Sequence, residues 1–181
     1  MTPMNTEKQL ASLRFQTDTS MRYHEYRRAY FERRERIIAF LNVLLSSGVA
    51  AAASHSDIVV ATGVAVFMAF LNAYVTAFKP SEMARHHVKQ QTRYSDLDID
   101  LRGLTAQPDI GDLAEFEKRM ALVERDELPL FNYVWAESYN DAARWASAAS
   151  KYGQLTWRQR AVRHLTRGNP AAVSRPDGAP V

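Results

Sequence analysis

The chain contains no cysteine among its 181 residues. A disulfide framework, a cysteine-based zinc site and a cysteine nucleophile are therefore all excluded. Glycine is also scarce, with seven residues, and none of them forms a phosphate-binding loop or a dinucleotide fingerprint. The GxSxG pattern of a serine nucleophile does not occur either. These absences predict a protein that is not an enzyme and that binds neither a cofactor nor a metal.

Charge is missing from two long stretches, although the mean hydropathy of −0.34 gives no sign of them. Residues 37–54 (IIAFLNVLLSSGVAAAAS) and 58–78 (IVVATGVAVFMAFLNAYVTAF) contain no Asp, Glu, Lys, Arg or His. At 1.5 Å per helical residue they span roughly 27 and 31 Å, which matches a bilayer core of about 30 Å. Only residues 55–57 separate them. We therefore predict a two-pass transmembrane hairpin over 37–78, in preference to a buried hairpin of a soluble bundle or a signal peptide.

Basic and aromatic residues flank the two runs, whereas the connecting turn carries neither Lys nor Arg. The cationic flanks are Arg22, Arg27, Arg28, Arg33, Arg34 and Arg36 on one side and Lys79, Arg85 and Lys89 on the other. By the positive-inside rule both termini are predicted to be cytoplasmic. The predicted interface anchors are Arg33, Arg34, Arg36, Tyr30, Phe31, Tyr74 and Lys79. Because the arginines have this membrane explanation, the isoelectric point near 9.3 does not predict a nucleic-acid partner.

Small and polar side chains recur within the predicted spans at helical spacing. The candidate packing surface consists of Gly48 on the first span and Ala61, Ala65, Ala69, Ala73 and Ala77 on the second. Small residues four positions apart let helix backbones approach closely, either within the hairpin or between subunits. The candidate polar surface consists of Asn42, Ser46, Thr62, Asn72 and Thr76. In lipid these groups need partners or water, so they predict either interhelical hydrogen bonds or the lining of a narrow aqueous path.

The rest of the chain predicts cytoplasmic segments on both sides of the hairpin. We divide it into an N-terminal polar segment at 1–18, a basic amphipathic helix at 19–36, a cytoplasmic helical region at 79–167 and a disordered tail at 168–181. The helix at 19–36 is expected to run into the first span, since neither proline nor glycine interrupts it. The pair Lys79-Pro80 is expected to end the second span, and a new helix follows.

Apolar side chains at helical spacing predict the helices of the cytoplasmic region. One stripe consists of Val88, Tyr94, Leu97, Leu101 and Leu104, and the next of Leu113, Phe116, Met120 and Val123. A loop is expected at 105–111 between them. A helix rich in aromatic residues is predicted at 130–151. The basic segment at 152–167, with Leu155, Trp157, Val162 and Leu165, suits either the membrane surface or the core. No segment alternates like a strand, so the predicted fold class is an all-α membrane protein.

Two groups of candidate metal ligands are better explained without a metal. Asp96, Asp98 and Asp100 alternate as in a calcium-binding loop, but the sixth position is Leu101 instead of glycine and the twelfth is Gln107 instead of glutamate. A solvated helix face accounts for the three carboxylates. The histidines lack ligand spacing: two are adjacent and point in different directions on a helix, and two are isolated, namely His86 with His87 and His24 with His164.

The layout as a whole resembles the SLATT family of two-span bacterial effectors. The resemblance covers residues 14–150 and includes the basic stretch RYHEYRRAYFERRER at 22–36, with Tyr23 ahead of the spans, and the YSDL stretch at 94–97. It implies a homo-oligomeric effector of the bacterial inner membrane that permeabilises or depolarises that membrane in anti-phage abortive infection. It also implies an activating nucleotide signal or sensor protein as a partner, in addition to the lipid bilayer.

Two other classes of protein remain open. A holin-like lysis protein is also small and spans the membrane twice, but does not need a cytoplasmic helical region of this length. A membrane-anchored adaptor that forms no pore could recruit a soluble partner through the aromatic-rich helix. Ion leakage from liposomes separates the adaptor from the effector, since an adaptor leaks nothing.

Overall fold

The computed structural model describes residues 3–54, 58–104, 109–148, 150–168 and 173. Within these ranges the chain forms six helices and no strand, as the sequence predicted. They are α1 Pro3–Ser54, α2 Ile58–Phe78, α3 Pro80–Gly103, α4 Ile110–Arg125, α5 Asn132–Trp145 and α6 Trp157–Val162. The predicted turn at 55–57, most of the predicted loop at 105–111 and most of the tail at 168–181 lie outside the described residues.

Helix α1 is longer at its N-terminal end than the sequence predicted. It begins at Pro3 and continues through the expected boundary near residue 18. Proline suits this first turn because its missing N–H belongs to the groups that have no partner within a helix. Leu10 and Leu13, three residues apart, are each 5% exposed, so part of the segment at 1–18 contributes to the core. Residues 3–18 and 19–36 are therefore parts of one continuous helix.

The junction between α2 and α3 lies where the sequence predicted it. Lys79 has a φ of +41°, in the left-handed region, and separates the two helices. Pro80 then begins α3, where its fixed φ and missing N–H are tolerated. The Lys79 side chain pairs with Glu82 at 3.1 Å in the first turn of α3, where a negative charge favours the helix dipole.

The chain divides into two compact units. Unit 1 comprises Met1–Arg27 and His87–Val181, and unit 2 comprises Arg28–His86. Helix α1 contributes residues to both. Unit 2 holds the apolar helices, and unit 1 holds the main buried core.

The core of unit 1 is formed by α1, α3 and α4. Its buried members are Leu10, Leu13, Tyr94, Leu97, Leu101, Leu113, Phe116 and Met120. Six of these belong to the two apolar stripes read from the sequence, and Leu104 and Val123 from the same stripes pack against them partly buried. Val88 is the exception, since its side chain is 38% exposed.

Helix α5 packs on a second, smaller cluster in unit 1. Ala136 of α5 is buried with Leu155 and Val173, and Tyr133 and Tyr152 lie against them. The helix is shorter than the predicted 130–151, ending at Trp145, and Ser147 follows with a φ of +52°.

Helix α6 occupies only part of the predicted basic segment. A capping box between Thr156 and Gln159 fixes its first turn. Of the four apolar residues predicted there, Leu155 alone is buried, and the other three are exposed: Trp157, Val162 and Leu165.

Among the described residues, one helical stretch is long and apolar enough to cross a membrane, judged by length and composition. It lies in Ile58–Gly103 and contains α2, and none of its most apolar window is buried. This agrees with the second predicted span. The first charge-free run forms the C-terminal part of α1.

Candidate functional site

The apolar parts of α1 and α2 lie side by side in unit 2. The Asn42 Nδ2 atom donates to Asn72 Oδ1 at 3.4 Å, and the Arg34 guanidinium lies 4.9 Å from the centre of the Tyr74 ring. From Asn42 to the end of α1 the helix rises roughly 18 Å, and from the start of α2 to Asn72 roughly 21 Å. Since the two asparagines meet, the chain must reverse direction, and the helices are antiparallel.

The shielded faces of the two helices have the spacing of a packed pair. On α1 the half-buried apolar residues are Ile38, Leu41, Leu45 and Val49, and on α2 they are Ala61, Val64, Met68, Leu71 and Val75. Intervals of three and four residues place each set on one side of its helix and allow knobs-into-holes contact. This face of α2 is mostly made of larger side chains than the predicted alanine surface.

The predicted small-residue surface is left open within a single chain. Ala61 is half-buried, whereas the four alanines that follow it at fourfold spacing are exposed: Ala65, Ala69, Ala73 and Ala77. Gly48 on α1 is also exposed, and a Cβ at that position would meet nothing within 4 Å. These small residues were predicted to pack either within the hairpin or between subunits. Packing within the hairpin accounts for Ala61 alone.

The five predicted polar residues differ in the contacts that they make. The Ser46 hydroxyl donates to the Asn42 carbonyl at 2.7 Å and the Thr76 hydroxyl to the Asn72 carbonyl at 2.9 Å, each within its own helix. Thr62 is exposed on the side of α2 that carries Ala65 and Ala69. Only the two asparagines join the helices, and the Oδ1 atom of Asn42 has no hydrogen-bond partner among the described residues.

Four of the seven predicted interface anchors contact one another in unit 2: Tyr30, Phe31, Arg34 and Tyr74. The Arg34 Nη1 atom donates to the Tyr30 hydroxyl at 2.7 Å, and Tyr30 contacts the Phe31 ring edge-on at 5.3 Å. Tyr74 stacks on the ring of Phe78 at 4.6 Å. Arg36 bonds weakly to its own helix, with 3.4 Å between its Nε atom and the Glu32 carbonyl, and Arg33 is exposed. Lys79 is likewise exposed.

Two arginines of the predicted membrane flank, Arg22 and Arg27, lie in unit 1. Arg27 is 5% exposed, lies 3.9 Å from the centre of the Phe131 ring and donates to the His164 carbonyl at 3.0 Å. Arg22 pairs with Asp18 at 2.9 Å. Arg27 is thus engaged by contacts distant in sequence, which local charge counting cannot detect, whereas the Arg22–Asp18 pair lies within α1. The other predicted flanking residues before the first charge-free run belong to unit 2: Arg28, Arg33, Arg34 and Arg36.

Large apolar side chains cover the outside of the helical pair. Phe40 and Val43 of α1 are 66% and 68% exposed, and Val59 and Phe70 of α2 are 82% and 70% exposed. Soluble monomers rarely leave apolar surface of this extent in water. The surface therefore suits hydrocarbon or another apolar chain.

A buried polar cluster in unit 1 joins histidines that look isolated in the sequence. The Nδ1 atoms of His24 and His87 lie 2.9 Å apart, and His24 Nε2 lies 3.1 Å from the Glu127 carboxylate. The Tyr94 hydroxyl donates to the same carboxylate oxygen at 2.6 Å. Since a carboxylate only accepts, His24 donates through Nε2, and one proton between the two Nδ1 atoms completes the contacts. The cluster thereby ties α1, α3 and the end of α4 together.

Burial controls the ionisation of groups around this cluster. Desolvation raises the pKa of the Tyr94 phenol, and the hydrogen bond to Glu127 adds to the rise. Desolvation also raises the pKa of Tyr23, whose hydroxyl accepts from the Phe131 amide at 3.2 Å. For His164, desolvation and then the charges of Arg163 and Arg27 lower the pKa to about 3. These groups are therefore neutral in the folded unit at neutral pH.

Two of the three aspartates that alternate as in a calcium-binding loop are paired with arginines. Asp98 lies 2.7 Å from Arg102 and Asp100 lies 2.5 Å from Arg119. No group of three His, Cys, Asp or Glu side chains that could hold a metal is found in the described part of the chain. Asp100 is 49% exposed, as expected for a solvated face, whereas the Asp98 side chain is only 14% exposed.

A groove of about 1100 Å³ in unit 1 lies beside α1. Its charged lining is paired internally, since Arg22 pairs with Asp18 and Arg102 pairs with Asp98. Arg14 donates to the Leu101 carbonyl at 2.9 Å. With its cations engaged, the groove shows no set of groups converging on a ligand.

No family model, curated protein or solved structure matches the chain. Asn72 contacts Asn42 within the hairpin, but the exposed Thr62, Ala65 and Ala69 on the same side of α2 are not explained by packing within one chain.

Proposed function

We propose that the protein is an oligomeric effector that permeabilises or depolarises the inner membrane of a bacterium. The observation that carries the proposal is the side of α2 bearing Asn72, Thr76 and Thr62 together with Ala65 and Ala69, which is open in a single chain. The hairpin would span the bilayer twice with both termini in the cytoplasm. The effector would act in anti-phage abortive infection, as the resemblance to SLATT proteins implies.

A second copy of the chain would satisfy this open face. In hydrocarbon, polar side chains gain from partners or water, and small residues at fourfold spacing permit close helix contact. Neighbouring hairpins that pack through this face would place the Asn72 and Thr76 side chains at a subunit junction. Interhelical hydrogen bonds would fix the closed state of such an assembly, and separation of the helices would admit water along the same side chains.

Unit 1 would control the opening. A nucleotide signal or a sensor protein that binds one arrangement of the cytoplasmic helices more tightly would shift the population toward it. A shift from 1:99 to 99:1 requires a difference of about 5.5 kcal/mol in binding free energy between the two states.

The packing of α5 argues against the adaptor alternative in its simplest form. Trp135 contacts the Tyr23 ring at 6.0 Å, and Tyr139 contacts Phe15 at 4.8 Å and Tyr152 at 5.2 Å. Trp135 and Tyr139 are thus engaged within unit 1, whereas Trp145 at the end of the helix is 77% exposed. An adaptor would have to use Trp145 or another surface, and a holin would leave unit 1 without a role.

The test compares membrane potential and growth after induced expression in bacteria. The variant Asn72→Leu with Thr76→Val removes two polar side chains from the open face of α2. We expect wild-type protein to depolarise the cells and this variant, at equal membrane abundance, to lose most of that effect. Ser47→Ala is the matched control, because Ser47 is exposed on α1 and donates to its own helix at the Val43 carbonyl.

Leakage from proteoliposomes then separates the alternatives. Dye or ion leakage by wild-type protein that the double variant retains in full would exclude lining by this face. If the proteoliposomes do not leak and the cells are not depolarised, with or without a co-expressed nucleotide synthase, the adaptor is favoured instead.

A further inference from the structure

The most basic part of the chain follows α5. Between residues 142 and 176 there are seven Lys and Arg and no Asp or Glu: Arg144, Lys151, Arg158, Arg160, Arg163, Arg167 and Arg175. The formal net charge of the whole chain is only +3, so acidic residues outnumber basic ones elsewhere. The positive charge is concentrated in this stretch of the sequence.

Most of this charge is not used inside unit 1. Arg144 pairs with Asp141 at 3.2 Å, and Arg163 pairs with Glu137. Four other cations are exposed, and no acidic side chain among the described residues pairs with them: Lys151, Arg158, Arg160 and Arg167. They are available to an external anionic partner.

Large apolar side chains are exposed in the same stretch. Trp157 is 74% exposed, Leu165 is 61% exposed and Val162 is 39% exposed. Trp157 also lies against a cation, with the Arg158 guanidinium 5.3 Å from its ring centre. A tryptophan beside unpaired arginines is the combination that favours the headgroup level of a bilayer.

The stretch is held in place by unit 1, so these side chains are presented by a fixed backbone. Leu155 is buried at one end. At the other end the Asn132 amide donates to the Arg167 carbonyl at 2.8 Å, and Arg27 donates to the His164 carbonyl. Burial of Trp157 against a partner would therefore cost little further ordering of the chain.

We propose that the basic segment, residues 151–167, docks on the surface of an anionic bilayer. This proposal rests on the membrane insertion proposed above, because a tethered unit 1 meets the lipid surface at high effective concentration. The arginines would contact lipid phosphates, and Trp157 and Leu165 would enter the boundary between headgroups and acyl chains. A nucleic acid would satisfy the cations but would leave Leu165 and Val162 in water, so lipid accounts for more of the surface.

The test uses quenching of tryptophan emission by brominated lipids, with the full chain reconstituted in vesicles of phosphatidylcholine alone or with anionic phosphatidylglycerol. We expect strong quenching only in the anionic vesicles and its loss in Trp157→Phe. Trp145→Phe is the matched control, since Trp145 is equally exposed, at 77%, but lies in the groove with Asp18 and Asp98. This control should keep the quenching.

Charge removal gives a second measurement. Each arginine near an anionic surface contributes about 1 kcal/mol, so replacing Arg158, Arg160 and Arg167 by Gln should lower the docked-to-undocked ratio about a hundredfold. Quenching should then fall to its value in neutral vesicles, as it should for wild-type protein in high salt.

The outcomes separate this proposal from the proposed function. Flotation of the chain with both kinds of vesicle, but equal quenching in Trp157→Phe and wild type, would overturn docking and leave membrane insertion intact. Failure to float with either kind would overturn both. A Trp157-dependent emission shift caused by an oligonucleotide, without quenching by anionic lipid, would identify a nucleic-acid surface and overturn the lipid proposal.

Discussion

Replacement of Glu127 by alanine should unfold unit 1 at a much lower temperature. The Glu127 side chain is 14% exposed, and one carboxylate oxygen lies within bonding distance of both Tyr94 and His24. Glu127→Ala leaves those two groups without their charged acceptor. A hydrogen bond to a charged group contributes about 1.5–3 kcal/mol, so the expected loss is about 3–5 kcal/mol.

Tryptophan emission during heating in detergent measures this effect in unit 1 alone. All three tryptophans, Trp135, Trp145 and Trp157, belong to unit 1 and none belongs to unit 2. A loss of this size corresponds to a fall in Tm of roughly 10–20 °C for a unit of this length. Glu127→Gln keeps the shape and one acceptor oxygen but removes the charge, so its Tm should lie between those of wild type and Glu127→Ala.

A surface carboxylate of α4 serves as the control for this prediction. The Glu115 side chain is 62% exposed and reaches Lys118 at 3.6 Å. Glu115→Ala should change Tm by less than about 2 °C, because such exposed pairs contribute little. If Glu127→Ala unfolds within 2 °C of Glu115→Ala, the polar cluster does not hold unit 1 together and the reasoning is refuted.

Two further predictions concern unit 1. The unfolded His164 imidazole titrates near pH 6.5, whereas burial and the neighbouring Arg163 and Arg27 lower its folded pKa to about 3. Stability present above pH 6.5 is therefore lost progressively as the pH falls toward 3. Tm should drop between pH 7.5 and 5.5, and His164→Gln should reduce this dependence of Tm on pH. If the variant shows the same dependence as wild type, other groups cause it. Leu101→Ala should cost about 2–5 kcal/mol because Leu101 is fully buried, whereas Ile99→Ala, at a position 63% exposed, should cost less than about 0.5 kcal/mol. Equal losses in chemical denaturation would contradict the observed packing.

The core helices of unit 1 could be predicted because their signal is local. Leu97 and Leu101, or Phe116 and Met120, lie four residues apart, and that spacing alone places them on one face of a helix. A stripe of such residues gains free energy only when it is buried, so periodicity predicts burial without knowledge of the partner helix. The interruption at Lys79-Pro80 is local for the same kind of reason.

The polar cluster could not be predicted, because its members are distant in the chain. His24 lies 63 residues before His87 and 103 residues before Glu127. One signal was available: His87 precedes Tyr94 by seven residues and therefore shares the buried face of α3. A polar residue on an apolar face indicates a buried partner, but the sequence does not say which residue it is.

The sequence by itself determined that two stretches of bilayer length carry no charge and that helices form most of the remaining described chain. Hydration of each side chain is a property of that residue, so a run of apolar residues is informative without tertiary contacts. Tertiary structure decided which face of α2 packs on α1, leaving Ala65, Ala69, Ala73 and Ala77 open, and which arginines unit 1 uses internally. These choices depend on shape and distance between helices, because packing and buried hydrogen bonds act over a few ångströms between residues far apart in sequence.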